Sequence, residues 1–332
     1  MLRFRYKFAF HERRATRRKN QRVFPLGRAM VLAACLSLPL ASPASGGQAS
    51  GETGASATPA RRANIAVGAQ YDSTHVYVAP ADLDAFIASF TATFGGQPSK
   101  LSVTNVLPVP SSTEFQYLWT SAGTLSVFAY QTPLPFPFGQ ERTGYLVTDM
   151  DLAIRAAHSA GAEVIVEPFK DPIGMDAVIQ WPGGLKMQIY WHFTPPMYPP
   201  LQTIPDNRVY LSRDQADNFI RDFVRFSQGK VIADDPRADA GEIGRPGETY
   251  RRVRIASLFG NMQVLVTDGH LPYPFGYEVM GYQVSDLAAT LEKAKASGAK
   301  ILSPPYSAGD RTTAIVEFPG GYIAEIHAPA AH

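Results

Sequence analysis

Gln188 and Glu325 stand 137 residues apart, each four positions beyond a Pro-Gly-Gly turn, 182–184 in one case and 319–321 in the other. An amide oxygen and a carboxylate at matching places can each accept hydrogen bonds or hold a cation, and only the carboxylate can also take up a proton. His75, His192 and His327 add imidazoles suited to acid–base work or ligation. Arg142 and Arg208 offer guanidinium forks for carboxylate or phosphate and can never ligate a metal. Cys35 is the single cysteine and lies in the N-terminal region, so a cysteine nucleophile, a thiolate metal site and a disulfide are excluded if that region is removed.

These residues sit in a duplicated framework. Residues 135–149 (Pro-Phe-Pro-Phe-Gly-Gln-Glu-Arg-Thr-Gly-Tyr-Leu-Val-Thr-Asp) are matched by 272–286 (Pro-Tyr-Pro-Phe-Gly-Tyr-Glu-Val-Met-Gly-Tyr-Gln-Val-Ser-Asp). The register then holds without a gap for about forty further positions. Each copy predicts a short strand, a helix N-capped by Asp149 or Asp286, a stop at Gly161 or Gly298, and three strands. A weaker β-α-β-β-β pattern precedes each copy. One begins at His75-Val-Tyr-Val with a helix over 83–94, the other at Arg208-Val-Tyr-Leu with a helix over 215–226. Four βαβββ modules in two pairs follow, an α+β architecture.

On these motifs the chain, over residues 72–330, resembles the vicinal oxygen chelate superfamily, which includes glyoxalase I, extradiol dioxygenases and the bleomycin and fosfomycin resistance proteins. The resemblance implies two glyoxalase-like cup-shaped domains, each with a divalent metal on its floor held by His, Glu or Gln from first and last strands. Carried over by spacing, seven residues before the N-cap Asp, the first-strand positions are His75, Arg142 and Val279, and alignment on the shared Val-Tyr and Phe adds Arg208. The last-strand positions are Gln188 and Glu325, with Ser126 or Phe128 and Gln263 nearest in the other two modules. The resemblance thus implies His75 and Gln188 as catalytic residues, Arg142, Arg208 and Glu325 as substrate-binding residues, and His75, Gln188 and Glu325 as metal ligands. Neither half assembles a full ligand triad. Strand exchange between halves would be needed to bring His75 to Glu325.

Each residue also has a plainer reading. His75 can be a hydrogen-bonded core histidine, and Gln188 can bond backbone or water. Arg208 and Glu325 can pair with each other, a guanidinium filling the vacated cation position. Glu141 and Glu278, on an alternating strand, face away from Arg142 and Val279, and Tyr145 and Tyr282 pack under the helices.

Composition sets the remaining expectations. Of the 31 Lys and Arg residues ten fall within the first 28 positions, against one acid, Glu12. Beyond residue 44 the chain carries 21 basic and 28 acidic groups, near −7, which argues against nucleic acid as a partner. The basic run, the 13 residues 29–41 and the small residues Ser42, Pro43 and Ala44 predict a cleaved export signal over 1–44 and a periplasmic or secreted protein. Cys35 admits a lipoprotein reading, and the apolar run is too short to span a bilayer. Residues 45–70 read as a flexible linker, 71–195 as the first domain, 196–206 as a proline-rich linker and 207–330 as the second domain. Residues 234–249 read as a loop over the second cup's mouth. The leading function is a glyoxalase- or dioxygenase-like protein acting on a small anionic molecule in the first cup, a lyase or dioxygenase if an enzyme. The alternative is a metal-free, sequestering binding protein, monomeric or homodimeric.

Overall fold

A computed structural model describes residues 64–105 and 108–330. The stretch read as an export signal and most of the one read as a first linker lie outside the described residues.

Each module opens with a strand whose odd positions face one side and even positions the other. Module one runs β1 (Ser73–Val78), α1 (Leu83–Phe94), β2 (Gln97–Pro98), β3 (Ser102–Thr104), β4 (Thr113–Trp119) and β5 (Thr124–Tyr130). Module two is β6 (Thr143–Leu146), α2 (Met150–Ser159), β7 (Glu163–Lys170), β8 (Gly174–Gln180) and β9 (Lys186–His192). Module three is β10 (Asp206–Ser212), α3 (Arg213–Ser227), β11 (Lys230–Asp239), β12 (Thr249–Ser257) and β13 (Gly260–Thr267). Module four is β14 (Val279–Gln283), α4 (Leu287–Ala296), β15 (Lys300–Ala308), β16 (Arg311–Phe318) and β17 (Tyr322–Pro329). Among the described residues no helix is long and apolar enough to cross a membrane.

The modules pair in sequence order. One curled sheet runs β2-β4-β5-β1-β6-β9-β8-β7, with β3 also on β4; the other runs β11-β12-β13-β10-β14-β17-β16-β15. No strand is exchanged between the halves, so His75 and Glu325 belong to different sheets and cannot share a cation. The expectation that both might serve one metal is corrected by this connectivity.

The caps explain where two of the helices start. Asp149 accepts from the Leu152 backbone N–H at 2.7 Å, and Asp286 from that of Ala289 at 2.9 Å, satisfying donors the first helical turn leaves free. Asp82 makes no such bond, and α3 follows β10 directly with Ser212 at its N-cap. The strand-to-cap distance therefore differs between modules, and this shifts the register of the candidate site.

The helices lie against the backs of both sheets. Met150, Ala153 and Ala157 of α2 share one apolar core with Phe219, Phe223 and Phe226 of α3, around Trp181. Phe86 and Phe90 of α1 share a second with Leu291 of α4, Phe318 and Tyr322. Tyr145 and Tyr282 are buried in these two cores as expected. At the end of the stretch read as a linker, Ile65 is buried and Ala66 bridges to Val147, so residues 64–67 are attached to the end of β6. The sheet faces opposite the helices are the two cups.

Candidate functional site

Strand pairing fixes which residues share a cup floor. In the first sheet His75 pairs in parallel with Ser126, and Gly144 with Gln188; in the second Arg208 pairs with Gln263, and Gly281 with Glu325. The central antiparallel pairs are Ser73 with Gly144 and Asp206 with Gly281. The counterpart of His75 in module two is therefore Gly144, and the counterpart of Arg208 in module four is Gly281. Counting back from the helix cap had pointed two residues earlier, to Arg142 and Val279.

Both glycines are required by close approach. A Cβ on Gly144 would lie 2.7 Å from His75 Nε2, and one on Gly281 would lie 2.5 Å from Glu325 Oε2.

The first cup is open. A cavity of about 470 Å³ is lined by His75, Ser126, Asp176, Gln188 and His192, with Phe115, Tyr117, Phe128 and Tyr190 among its walls. This lies within the size range of small-molecule sites. Tyr198, from the proline-rich connection, packs with its ring centroid 5.9 Å from that of Tyr117. Arg142 does not line this cavity. Strand β6 begins only at Thr143, so the two-residue alternation does not extend back through Arg142 and Glu141. The Arg142 carbonyl accepts from the His75 backbone N–H at 2.9 Å, and its guanidinium acts on Glu278 and Tyr322. The expected contact of Arg142 with an anion in the first cup is thus corrected.

Glu141 enters the cup in its place. Its Oε1 lies 3.3 Å from His75 Nδ1 and accepts from the Tyr77 hydroxyl, with Glu141 fully buried. The expectation that Glu141 faces away is overturned; that for Glu278 holds, since it accepts from Asn207 Nδ2 at 2.9 Å on the opposite face. Burial pushes the Glu278 carboxyl up to about 7, with the Asn207 bond and Arg142 pulling the other way and Glu141 adding to the rise. Burial likewise holds the Tyr77 hydroxyl well above its ordinary value, assisted by the Glu141 charge, so it stays a donor.

Asp176 is the cup residue that spacing missed. Burial raises its carboxyl well above the usual range, the charge of Asp171 adds to this, and a hydrogen bond from Gln188 opposes it. An aspartate inside an otherwise apolar strand is uncommon, and this was the available signal. Its place in the duplicate is taken by Thr313, whose hydroxyl donates to Glu325 Oε1. The same side-chain pairing thus recurs in both sheets with the chemistry exchanged. His192, at the end of β9, is lowered by burial, against the pull of Asp171.

The second cup is filled by its own side chains. Arg208 Nη1 lies 2.8 Å from Glu325 Oε1, both side chains fully buried, though off the line of a good hydrogen bond. Arg311 Nη2 donates to Asp206 Oδ2 at 3.0 Å, Gln263 Nε2 donates to the same oxygen at 3.1 Å, and His327 Nδ1 lies 3.6 Å from Glu325 Oε2. Burial alone would raise the Glu325 carboxyl; the Arg208 guanidinium, with His327 and Arg311, instead holds it far below the usual carboxylate range. Burial alone would lower Arg208; Glu325, together with Tyr210, Glu242 and Tyr250, raises it instead.

The chain above this floor is not the loop expected over 234–249. Strand β11 continues to Asp239, and a short 3₁₀ turn, Ala240–Ile243, follows. Ala240 and Ile243 pack with Tyr250, Leu265, Phe275 and Ile315, and Glu242 accepts from Tyr250 at 2.6 Å and from Arg252 at 2.7 Å. Arg208 and Glu325 are fully buried against each other.

Solved structures share this double-cup arrangement. A mutant 4-hydroxymandelate synthase from Streptomyces coelicolor is similar over 81% of this chain and 94% of its own, at 12% identity and a TM-score of 0.57. The fold is that of the vicinal oxygen chelate superfamily. A xylose isomerase-like TIM barrel/4-hydroxyphenylpyruvate dioxygenase fusion protein is similar at 11% identity and a TM-score of 0.50, over 81% of this chain and 50% of that one. The Mn(II)-bound glyoxalase from Novosphingobium aromaticivorans matches at 14% identity and 0.49, over 80% of this chain and 82% of that one. No protein-family model matches the chain, and no curated protein does. At such identities the likeness is one of fold, and chemistry must be argued from the site.

The vicinal oxygen chelate fold implies a metal, and the donors present do not fit one. The first floor offers one imidazole, one amide and one hydroxyl, with the Asp176 carboxyl engaged by Gln188, where a stable divalent site needs three or more converging donors. The second holds a guanidinium where a cation would sit. Among the described residues no three His, Cys, Asp or Glu side chains converge as a metal site. His75 and Gln188 meet in one cavity but with too few partners to ligate.

Proposed function

We propose that the chain is an exported protein that binds a small, planar, neutral molecule in the first cup and needs no resident metal to do so. The observation that carries this reading is the cavity of about 470 Å³ over the floor of the first cup, walled by aromatic rings and holding no Lys or Arg among its lining residues. Flat rings such as Phe115, Phe128 and Tyr190 favour a planar apolar body. His75, Gln188 and Asp176 supply a few directed polar contacts, and Asp171 at the rim disfavours a second negative charge. The anionic ligand expected from Arg142 loses its support, because that guanidinium lies outside the cavity.

The test is a thermal-shift and calorimetric panel of neutral aryl ketones, amides and phenols against their carboxylated counterparts. Neutral members should stabilise the protein and carboxylates should not; the reverse order would overturn the reading. Ser126→Trp, which fills the floor, should abolish uptake while the far-ultraviolet dichroism is retained. For export, the support is the basic run followed by the apolar 29–41 and the small residues at 42–44. Intact mass of the protein from its native host should place the mature N-terminus near Ser45. A diacylglyceryl group on Cys35, or a retained N-terminal region, would refute it.

A further inference from the structure

We infer that a small monovalent cation, Na⁺, binds between the two halves at Asp72, Thr143 and Asn207, on the helix side of the sheets. This is independent of what the first cup takes up, and the three residues belong to neither cup floor.

The central strand pairs place these oxygens. Thr143 opens β6 opposite Thr74, and Asn207 in β10 stands opposite Met280. Alternation turns both away from the cups, because their neighbours Gly144 and Arg208 hold the floor positions. Asp72 immediately precedes β1. With Tyr145 of β6, Phe259 and Met280, these residues line a cavity of about 30 Å³ that both halves close. A space of that size admits an ion or one or two waters and no organic molecule.

The lining is rich in acceptors and poor in donors. Neither carboxylate oxygen of Asp72, nor Thr143 Oγ1, nor Asn207 Oδ1 has a hydrogen-bond partner among the described residues. Thr143 and Asn207 are each only 2% exposed. Asn207 commits its Nδ2 to Glu278 Oε1 at 2.9 Å, which leaves Oδ1 as a free acceptor. The Tyr145 hydroxyl lies beside Thr143 and Asn207, and burial keeps it protonated. Its proton and that of Thr143 are two donors, set against an amide oxygen and a carboxylate with about four lone-pair directions. Among the described residues lining the cavity there is no Lys, Arg or His. Burial accordingly pushes the Asp72 carboxyl well above its ordinary range, with the Leu146 backbone pulling the other way.

The donor chemistry selects the ion. Carboxylate, amide and hydroxyl oxygens are hard ligands, suited to alkali and alkaline-earth cations rather than to zinc or copper. One carboxylate balances one positive charge. A divalent ion would leave a net charge buried, and Ca²⁺ calls for about 6–8 oxygens. A monovalent ion here ties the start of β1 and of β6 to β10, so its binding stabilises the joined halves.

Melting of the full chain in sodium chloride and in choline chloride of equal concentration tests this, with ²³Na magnetic resonance as the direct reading of binding. Sodium should raise the melting temperature saturably, by about 2–5 °C at roughly tenfold above its dissociation constant, where choline does not. Asp72→Asn should lose the sodium response and melt no lower than the wild type in choline, because a neutral amide needs no counter-ion. Thr143→Val, close in shape, should keep the fold and weaken sodium binding roughly tenfold. Equal melting of the wild type in the two salts would overturn the inference and assign the cavity to water. An undiminished sodium response in Asp72→Asn, or a larger response to Ca²⁺ than to Na⁺ at equal ionic strength, would overturn it as well.

Discussion

The two cups share a backbone and differ in what the side chains do with the floor. His75, Ser126, Gly144 and Gln188 in one occupy the strand positions of Arg208, Gln263, Gly281 and Glu325 in the other. In the second, charges of both signs satisfy one another and a turn carrying Ile243 is packed above them. In the first, an imidazole, an amide and a carboxyl are left facing a cavity. A duplicated scaffold can thus keep one floor closed and the other open, with only the glycine of the four floor positions shared between them.

The comparison breaks first at its strongest contact. Removing one member of a fully buried ion pair strands the other, so Arg208→Ala should cost about 3–5 kcal/mol in urea unfolding, and the double change Arg208→Met with Glu325→Leu much less. Equal costs for single and double variants would show that the second cup is not held by mutual neutralisation. The equivalent change in the open cup, His75→Leu, should cost less, because Glu141, 3.3 Å from His75, keeps the Tyr77 hydroxyl as its partner.

Glu141 and Glu278 sharpen the contrast, since the same repeat position turns into the cup in one half and away from it in the other. Glu278 titrates near 7 in the folded chain, above the 4.5 of an ordinary glutamate. The folded state therefore holds this proton more tightly than the unfolded one. The stability it contributes is full below about 4.5, declines as pH rises toward 7 and is absent above that, up to ~3 kcal/mol in all. Glu278→Gln should flatten that part of the pH–stability curve. An unchanged slope would mean the carboxyl is ionised in the folded protein.

A smaller effect tests the shared glycines. Gly144→Ala and Gly281→Ala should each destabilise by about 1–2 kcal/mol through overpacking. Only Gly144→Ala should also weaken uptake of a neutral aryl ketone, because only there does the added methyl meet a cavity residue, His75. Loss of binding in both variants would mean that the halves communicate. The smallest expected effect is that of chelation: exhaustive treatment should leave melting temperature and binding unchanged, and elemental analysis should find no stoichiometric Fe, Mn, Zn or Ni. A stoichiometric metal whose removal unfolds or inactivates the protein would overturn the metal-free reading of both cups.

Much of the fold was legible because the repeat is long and its punctuation strong. The helix expected over 83–94 is α1, and Asp149 and Asp286 cap as their positions after short apolar strands suggested. Gln188 and Glu325 were found because a Pro-Gly-Gly turn anchors each last strand. His75 and Arg208 were also found, but Arg142 and Val279 stood in for Gly144 and Gly281, since counting from a helix cap assumes a constant strand-to-helix connection. Module one inserts a 3₁₀ turn at Pro80–Asp82, while module three has no turn at all. Only hydrogen-bond register could show that glycine takes the place of His75 in module two. Glu141 was misplaced for a related reason: alternation predicts facing only where the residue belongs to a strand, and β6 starts two residues later. Asp176 carries no motif, and its meaning depends on burial that sequence does not state.

The helix layer has a consequence for how the molecule lives and dies. Because α2 packs with α3 and α1 with α4, each sheet's back is covered by helices drawn from both halves. Severing the proline-rich connection and separating the pieces would expose Phe219, Phe223 and Phe226 on one and Phe86 and Phe90 on the other, so neither half is an independent folding unit. Melting should be a single cooperative transition. Ligand energy gained in the open cup is then shared with the filled one: occupancy at a hundred times the dissociation constant raises the stability of the whole molecule by about 2.7 kcal/mol. Whatever one half gains from a ligand thus also protects the other from unfolding.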